Sequence, residues 1–308
     1  MLSVTEFPQP VTTATGVAAD ERFGRRWVGL YEKALPAEWS WDRRLAATAE
    51  AGYQYAEISI DESDERLARL EWTAQERAAF RKAIAASGVP VLTMCLSGQR
   101  RYPLGSKDEA IRGRAFDMLR KAIEFALDVG VRIIQVAGYD VYFEPSDATT
   151  MARYHEGLCR AAGWASIAGV MLALENVDVP ASASLLDALA TVRHVDSPWF
   201  QLYPDPANVA AAGYDPLTQL PACREHIVAV HIKDSLPGVV RGVPFRAGIV
   251  PFEPVFRTLA RCAYRGPLTV EMWATMDQTG RPYESVVAAR KLIAELLEAS
   301  SSGQDEPC

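Results

Sequence analysis

Four short stretches of the chain each end an apolar run on a side chain able to bind a cation. They are Glu175 in LALENVD, Asp205 in WFQLYPDPAN, His231 in VAVHIKD and Glu271 in LTVEMWA. Carboxylate oxygens and an imidazole nitrogen together make a ligand set for one divalent metal ion such as Mn²⁺, Co²⁺, Mg²⁺ or Zn²⁺. Taken singly, a histidine at a strand end is most often a hydrogen-bonded structural residue. A lone acid there is most often a solvated loop residue or an ion-pair partner. Four in succession on neighbouring runs are much harder to explain separately, and a metal site explains them together. His155, His194 and His226 fall in helical or pre-strand surroundings, which leaves His231 as the one histidine at a strand's C-terminal end. Just beyond it, Lys233 and Asp234 either pair with each other or reach a ligand.

The elements that must position these groups recur as one phrase: a helical stretch, a glycine near its end, then a short apolar strand closed by a polar residue. EAGYQYAEISID (50–61), ASGVPVLTMCLS (86–97), DVGVRIIQVAGYD (128–140), IAGVMLALENVD (167–178) and YRGPLTVEMW (264–273) all show it. The strands are rich in Val, Ile and Leu with little alternation, as expected where both faces of a parallel sheet are covered. SKDEAIRGRAFDMLRKAIEFALDVG (106–130) is the clearest helix. Ser106 and Glu109 have capping-box spacing, Ile111, Ala115, Met118, Leu119, Ala122, Ile123 and Ala126 form one stripe, and Gly130 ends it. Eight strands are expected, near 27–31, 55–60, 90–96, 132–137, 170–175, 199–204, 227–231 and 267–272. Eight β/α units without a linker between them predict a single closed (β/α)₈ TIM barrel over residues 26–298, whose active site forms at the C-terminal strand ends. A doubly wound open sheet is the structural competitor, but no G-x-G-x-x-G follows the first strand.

Composition narrows the function. The chain has 308 residues, 49% hydrophobic and 23% charged, an ordinary globular balance. Its net charge of −7 disfavours a nucleic-acid binder or a partner of anionic membranes. Cys95, Cys159, Cys223, Cys262 and Cys308 are scattered and odd in number, so a reducing cytoplasm is expected rather than a disulfide framework. No basic and apolar leader opens the chain, and no apolar stretch approaches a membrane span. Residues 1–25 read as an extension without periodic pattern and 299–308 as a disordered tail.

The strings GLYEKALPAEWSW, ISIDESDERLARLEW, MCLSGQRRYPLGS, IQVAGYDVY, SPWFQLYPDPAN, IVAVHIKDSLPGV and VEMW together resemble the L-ribulose-5-phosphate (L-xylulose-5-phosphate) 3-epimerase family of the xylose-isomerase-like barrels. The likeness runs from about residue 28 to about residue 298, nearly the whole chain apart from its tails. It implies a metal-dependent sugar-phosphate 3-epimerase, with Glu175, Asp205, His231 and Glu271 on the family's metal-ligand positions and a homodimer as the assembly. Inverting C3 of a ketose requires removal of the proton beside the C2 carbonyl and its return from the other face through an enediolate. Two bases are needed, and Glu175 and Glu271 are assigned those roles. Glu57, Glu32, Lys33 and Lys233 point toward the same rim and are candidates for sugar hydroxyls. Arg100, Arg101, Arg241 and Arg246 are candidates for a phosphate. Trp273 and Tyr203 are expected to pack the barrel mouth.

Two departures bear on substrate. VPFRAGIVPF carries Arg246 and Ala247 where the family usually has glycine and glutamate, and Pro251 where it has aspartate. Gln99 stands where relatives can have histidine. Epimerisation or isomerisation of a different or unphosphorylated ketose therefore stays open, as does a non-catalytic sugar-binding barrel. An endonuclease IV-type barrel needs a histidine-rich multi-metal site, which four histidines and an acidic chain argue against.

Overall fold

The computed structural model describes residues 26–301. The expectations for residues 1–25 and for most of the C-terminal tail lie outside them. Seven strands come first in the chain: β1 (Val28–Tyr31), β2 (Tyr55–Ser59), β3 (Val91–Leu96), β4 (Ile133–Ala137), β5 (Met171–Glu175), β6 (Phe200–Leu202) and β7 (Val230–Ile232). An antiparallel hairpin of β8 (Asp234–Leu236) and β9 (Val239–Val243) follows, then β10 (Leu268–Val270). The parallel sheet has the order β6-β5-β4-β3-β2-β1-β10-β7. It closes where Ile227 bridges Leu202 and the backbone N–H groups of Val228 and His231 donate to the carbonyls of Leu202 and Pro204, at 3.0 and 2.9 Å. The ladder of β7 thus starts at Val230 rather than residue 227, because Val228 and Ala229 bend to pack the barrel floor.

The helices are α1 (Trp41–Glu50), α2 (Asp64–Leu67), α3 (Ala74–Ser87), α4 (Glu109–Val129), α5 (Ala148–Ala168), α6 (Leu185–Val195), α7 (Pro206–Ala211), α8 (Pro216–Cys223), α9 (Phe252–Arg261) and α10 (Pro282–Ser301). In α4 the stripe from Ala115 to Ala126 is buried, while Ile111 is half-buried. Gly130 ends the helix at φ 93°, a conformation cheap for glycine alone. The capping box expected from Ser106 and Glu109 is not made. Asp108 caps instead, accepting from the Ala110 N–H at 2.8 Å, because the buried Ser106 hydroxyl is taken by the Glu144 carboxylate. Helix α10 runs to Ser301, past the boundary expected at 298.

Strand side chains alternate between two environments. One set, including Leu30, Ile58, Leu174 and Val270, joins the large apolar cluster shared with the helices. The other faces the barrel axis. There Ile133, Ala173, Tyr203 and Ala229 form a small apolar floor, and above it Glu57, Thr93, Gln135, His231 and Thr269 are fully buried. The expectation of strands with little alternation is corrected by this interior: YAEIS, VHI and LTV do alternate, with the polar members turned inward. Gly29 is required by a close approach, since a Cβ there would lie 2.1 Å from the Tyr55 ring.

Candidate metal centre

Four elements deliver the four ligand-type side chains to one rim. Glu175 is the last residue of β5, His231 is central in β7, Glu271 follows β10, and Asp205 opens α7. All four are buried, and one donor atom from each lies within 4.8 Å of the others. Asp205 is held by its capping role: Oδ1 accepts from the N–H groups of Ala207 (2.8 Å) and Asn208 (3.2 Å), which leaves Oδ2 turned toward the cluster. His231 Nδ1 stands 2.8 Å from Glu175 Oε1 and 3.9 Å from Glu271 Oε2. The second oxygen of Glu175 accepts from Gln135 Nε2 at 2.6 Å. The Lys233 ammonium bridges Asp205 Oδ2 at 2.6 Å and Glu271 Oε2 at 2.7 Å.

Four buried carboxylates, those of Glu57, Glu175, Asp205 and Glu271, thus face one lysine and one imidazole. That surplus of buried negative charge, on hard oxygen donors with one nitrogen, fits a divalent cation. The same field separates the two glutamates. Burial pushes the Glu175 carboxyl up, and the nearby Glu271 charge adds to that against the pull of His231. Burial also raises Glu271, but Lys233 and His231 outweigh it and hold this carboxyl down to about 2. Burial pulls His231 down, and the charges of Glu57, Glu271 and Glu175 more than reverse it, leaving the imidazole well above its ordinary value. Lys233 is likewise raised, burial being outweighed by Asp205 and Glu271.

A cavity of about 160 Å³ opens above the cluster, and its lining includes Lys33, Arg100, Glu175, Lys233, Arg241 and Glu271. Lys33 pairs there with Asp61 and Arg100 with Glu62 at 3.1 Å, while the Arg241 guanidinium lies 6.0 Å from the Trp273 ring centroid. Other candidates sit elsewhere. Glu32 is enclosed by Arg44 and Arg69 and accepts the Ser59 N–H at 2.8 Å, so its carboxylate anchors the first loop outside the cavity. Glu57 lies beneath the cavity, against His231. Arg101 pairs with Asp64 on the outer surface. Arg246 pairs with Glu253 at 2.8 Å and lines a separate cavity of about 480 Å³ between the hairpin loop and α10, which shares Lys233, Glu271 and Trp273 with the first.

Lys233 and Asp234 do not pair with each other, because neighbours on a strand point to opposite sides. Asp234 instead accepts from the N–H groups of Gly248 (3.0 Å), Val250 (3.3 Å) and Ser235 (2.8 Å). Trp273 packs the mouth at 6.0 Å from the Tyr31 ring, as expected, whereas Tyr203 is buried in the floor. Gln99 is a framework residue whose Oε1 accepts the Ala137 N–H at 3.0 Å. Two cluster residues escaped the sequence reading. Gln135 had a signal, a polar residue inside the apolar string IIQVA. Asn208, whose Oδ1 finds no partner among the described residues and which lines the cavity, had none beyond its place after Asp205.

Comparison with known proteins agrees with this architecture. Residues 45–296 match the xylose isomerase-like TIM barrel family. The L-ribulose-5-phosphate 3-epimerase UlaE of Salmonella heidelberg (strain SL476) is 46% identical over 279 residues, covering 89% of this chain and 98% of the relative. The chain belongs to the L-ribulose-5-phosphate 3-epimerase family. The UlaE protein of Salmonella typhimurium (strain LT2) shows the same identity and coverage. Among solved structures, an L-ribulose 3-epimerase superposes with TM-score 0.74 at 21% identity, covering 92% of this chain and all of its own. A D-psicose 3-epimerase with D-tagatose from Clostridium cellulolyticum H10 gives TM-score 0.74 at 16% identity, over 88% of this chain and 99% of its own. At those identities the structures establish the shared barrel. Among the described residues no helix of this family member is long and apolar enough to cross a membrane.

Proposed function

We propose that the protein is a divalent-metal-dependent sugar-phosphate 3-epimerase that interconverts L-ribulose 5-phosphate and L-xylulose 5-phosphate. The observation that carries this reading is the pair Glu175 and Glu271, two buried carboxylates that converge on one cavity from the ends of β5 and β10 beside Asp205 and His231. Epimerisation needs one group ready to accept the C3 proton and another ready to return one, and environments that push two carboxylates apart supply such a pair. Glu175, Asp205, His231 and Glu271 would hold the cation, which when bound would supply Lewis-acid stabilisation of the negative charge that develops on the substrate. Gln135 orients the Glu175 carboxylate, and Lys233 sets the proton affinity of Glu271. Lys33, Arg100, Lys233 and Arg241 line the cavity, which supports a role for them toward substrate hydroxyls or phosphate. Glu32 and Arg246 act from outside the cavity, on the loops that frame it.

The proposed metal is one of Mn²⁺, Co²⁺, Mg²⁺ or Zn²⁺, as the oxygen-rich donor set with one imidazole suggests. A cytoplasmic setting is supported by the free thiols of Cys95, Cys159 and Cys223. The homodimer rests on the family resemblance. A second reading, an unphosphorylated ketose, is favoured by the existing pairs Lys33–Asp61 and Arg100–Glu62, which occupy two of the candidate phosphate donors. One experiment tests both. Enzyme stripped with EDTA and reloaded with each metal is offered phosphorylated and unphosphorylated pentuloses and hexuloses in D₂O. Deuterium should enter at C3 of the pentulose 5-phosphates; aldose formation, or turnover of free ketoses alone, rejects the proposal.

A further inference from the structure

Glu57 is a sequence candidate for substrate contact, yet the structure buries it completely beneath the cavity, where it touches His231 instead. Its Oε1 lies 2.8 Å from His231 Nε2, on the side of the ring away from the ligand cluster. Its Oε2 accepts from the Thr93 hydroxyl at 2.7 Å and the Tyr203 hydroxyl at 2.9 Å. Tyr203 also meets the Thr269 hydroxyl, which bonds the Tyr55 hydroxyl at 2.7 Å. Side chains from β2, β3, β7 and β10, with Tyr203 just after β6, thus form one continuous polar network across the barrel interior. All of them are fully buried.

An ionised carboxylate is among the most expensive groups to bury, and apolar side chains fill the floor one layer below. A role for the carboxylate follows from what it does to the imidazole. A group that only accepts, placed on Nε2, holds the proton there in the neutral ring, the form that ligates, so Nδ1 is the nitrogen that gives up its proton and offers a lone pair to a cation. The Thr93 and Tyr203 hydroxyls occupy the other oxygen and lock the carboxylate plane, which in turn sets the ring angle.

We infer that Glu57 is a positioning residue that fixes the tautomer and orientation of His231 for cation binding, with Thr93 and Tyr203 holding Glu57 in place. This rests on the proposed metal role of the four-ligand cluster. The test is Mn²⁺ affinity by titration calorimetry on the full chain, wild type against Glu57→Gln, with circular dichroism confirming the fold. Loss of an outer carboxylate of this kind typically weakens metal binding ~10–100-fold, and that is the expected result. At saturating Mn²⁺ the variant should regain most of its kcat, as a group that only positions a ligand predicts. Should Glu57→Gln not fold, Tyr203→Phe, which removes one hydroxyl and keeps the ring, should weaken Mn²⁺ binding by a smaller factor. In ¹⁵N-histidine NMR of the wild type, Nε2 should carry the proton and Nδ1 should respond to metal. Wild-type affinity in a folded Glu57→Gln or Tyr203→Phe variant, or a response at Nε2, overturns the inference alone. A wild type that binds no divalent ion at all overturns both it and the proposed function.

Discussion

Glu175 and Glu271 differ by their neighbours rather than by their chemistry. Glu271 has the Lys233 ammonium at 2.7 Å, and Glu175 has an amide and an imidazole. Replacing either with glutamine keeps the size and removes the proposed proton-transfer group, so kcat should fall ~100- to 10,000-fold. Some metal binding should persist, read by calorimetry beside turnover; substantial residual turnover in both variants would sink the two-base scheme. Arg246 shows what a departure from the family pattern costs. It sits at φ 68°, a left-handed conformation suited to glycine, and its exposed pair with Glu253 returns little. Arg246→Gly should therefore raise stability by about 0.5–1 kcal/mol after the entropy cost of glycine, measured as a higher urea midpoint. An unchanged or lower midpoint would show that the loop gains more from the ion pair than the backbone loses.

Among the elements, the hairpin of β8 and β9 and the loop behind it hang on one carboxylate. Asp234 gathers three backbone N–H groups from residues 235 to 250, and a Cβ at Gly248 would fall 2.2 Å from its Oδ1. Asp234→Ala leaves those amides without their acceptor, at about 1 kcal/mol or more, since the Ser235 amide is buried while Gly248 and Val250 are only half-buried. The expected readout is a lower melting temperature with a raised KM, since Val240 and Arg241 of this hairpin line the cavity. The first two loops are tied in the same manner by Asp61. Burial pushes its carboxyl up, but Lys33 and Ser63 more than reverse this and leave it at about 2, below the ordinary 3.8. A carboxyl depressed in the folded state stabilises the protein above its unfolded pKa, and that stability is lost as pH falls from near 4 to 2. Asp61→Asn should accordingly lower the urea midpoint at pH 7, and the two stability curves should converge toward pH 2. Parallel curves across that range would reject the assignment.

At the level of the whole molecule, the barrel closes around an interior with more negative than positive charge above an apolar floor. A cation that binds this folded site and not the unfolded chain stabilises by mass action, ~2.7 kcal/mol at a hundredfold excess over Kd. EDTA should lower the melting temperature by several degrees and abolish turnover, and a divalent ion should restore both. An EDTA-treated protein with an unchanged melting temperature and rate would mean that Lys233 and His231 alone balance the carboxylates.

The amino-acid sequence by itself determined the barrel and the four ligand-type side chains that cluster at its rim. Repeated helix, glycine and strand phrases leave a parallel closed sheet as the simplest burial, and each ligand is the polar end of an apolar run. It also held, unread, the alternation of YAEIS, VHI and LTV, whose inward polar members announce a barrel with a polar interior. What only the tertiary structure decided was the partner of each charge. Glu32 just after β1 and Glu57 within β2 look alike along the chain, each an acid in or beside an apolar run. One is enclosed by arginines from neighbouring helical segments, and the other faces the His231 ring across the barrel axis. Lys233 and Asp234 are adjacent in sequence yet turn to opposite sides of the strand, one into the ligand cluster and one into a loop. Hydrogen bonds and ion pairs across a closed barrel join residues far apart in the chain, as the 214 positions between Tyr55 and Thr269 show. No local pattern encodes such pairings, because they depend on register and closure of the whole sheet.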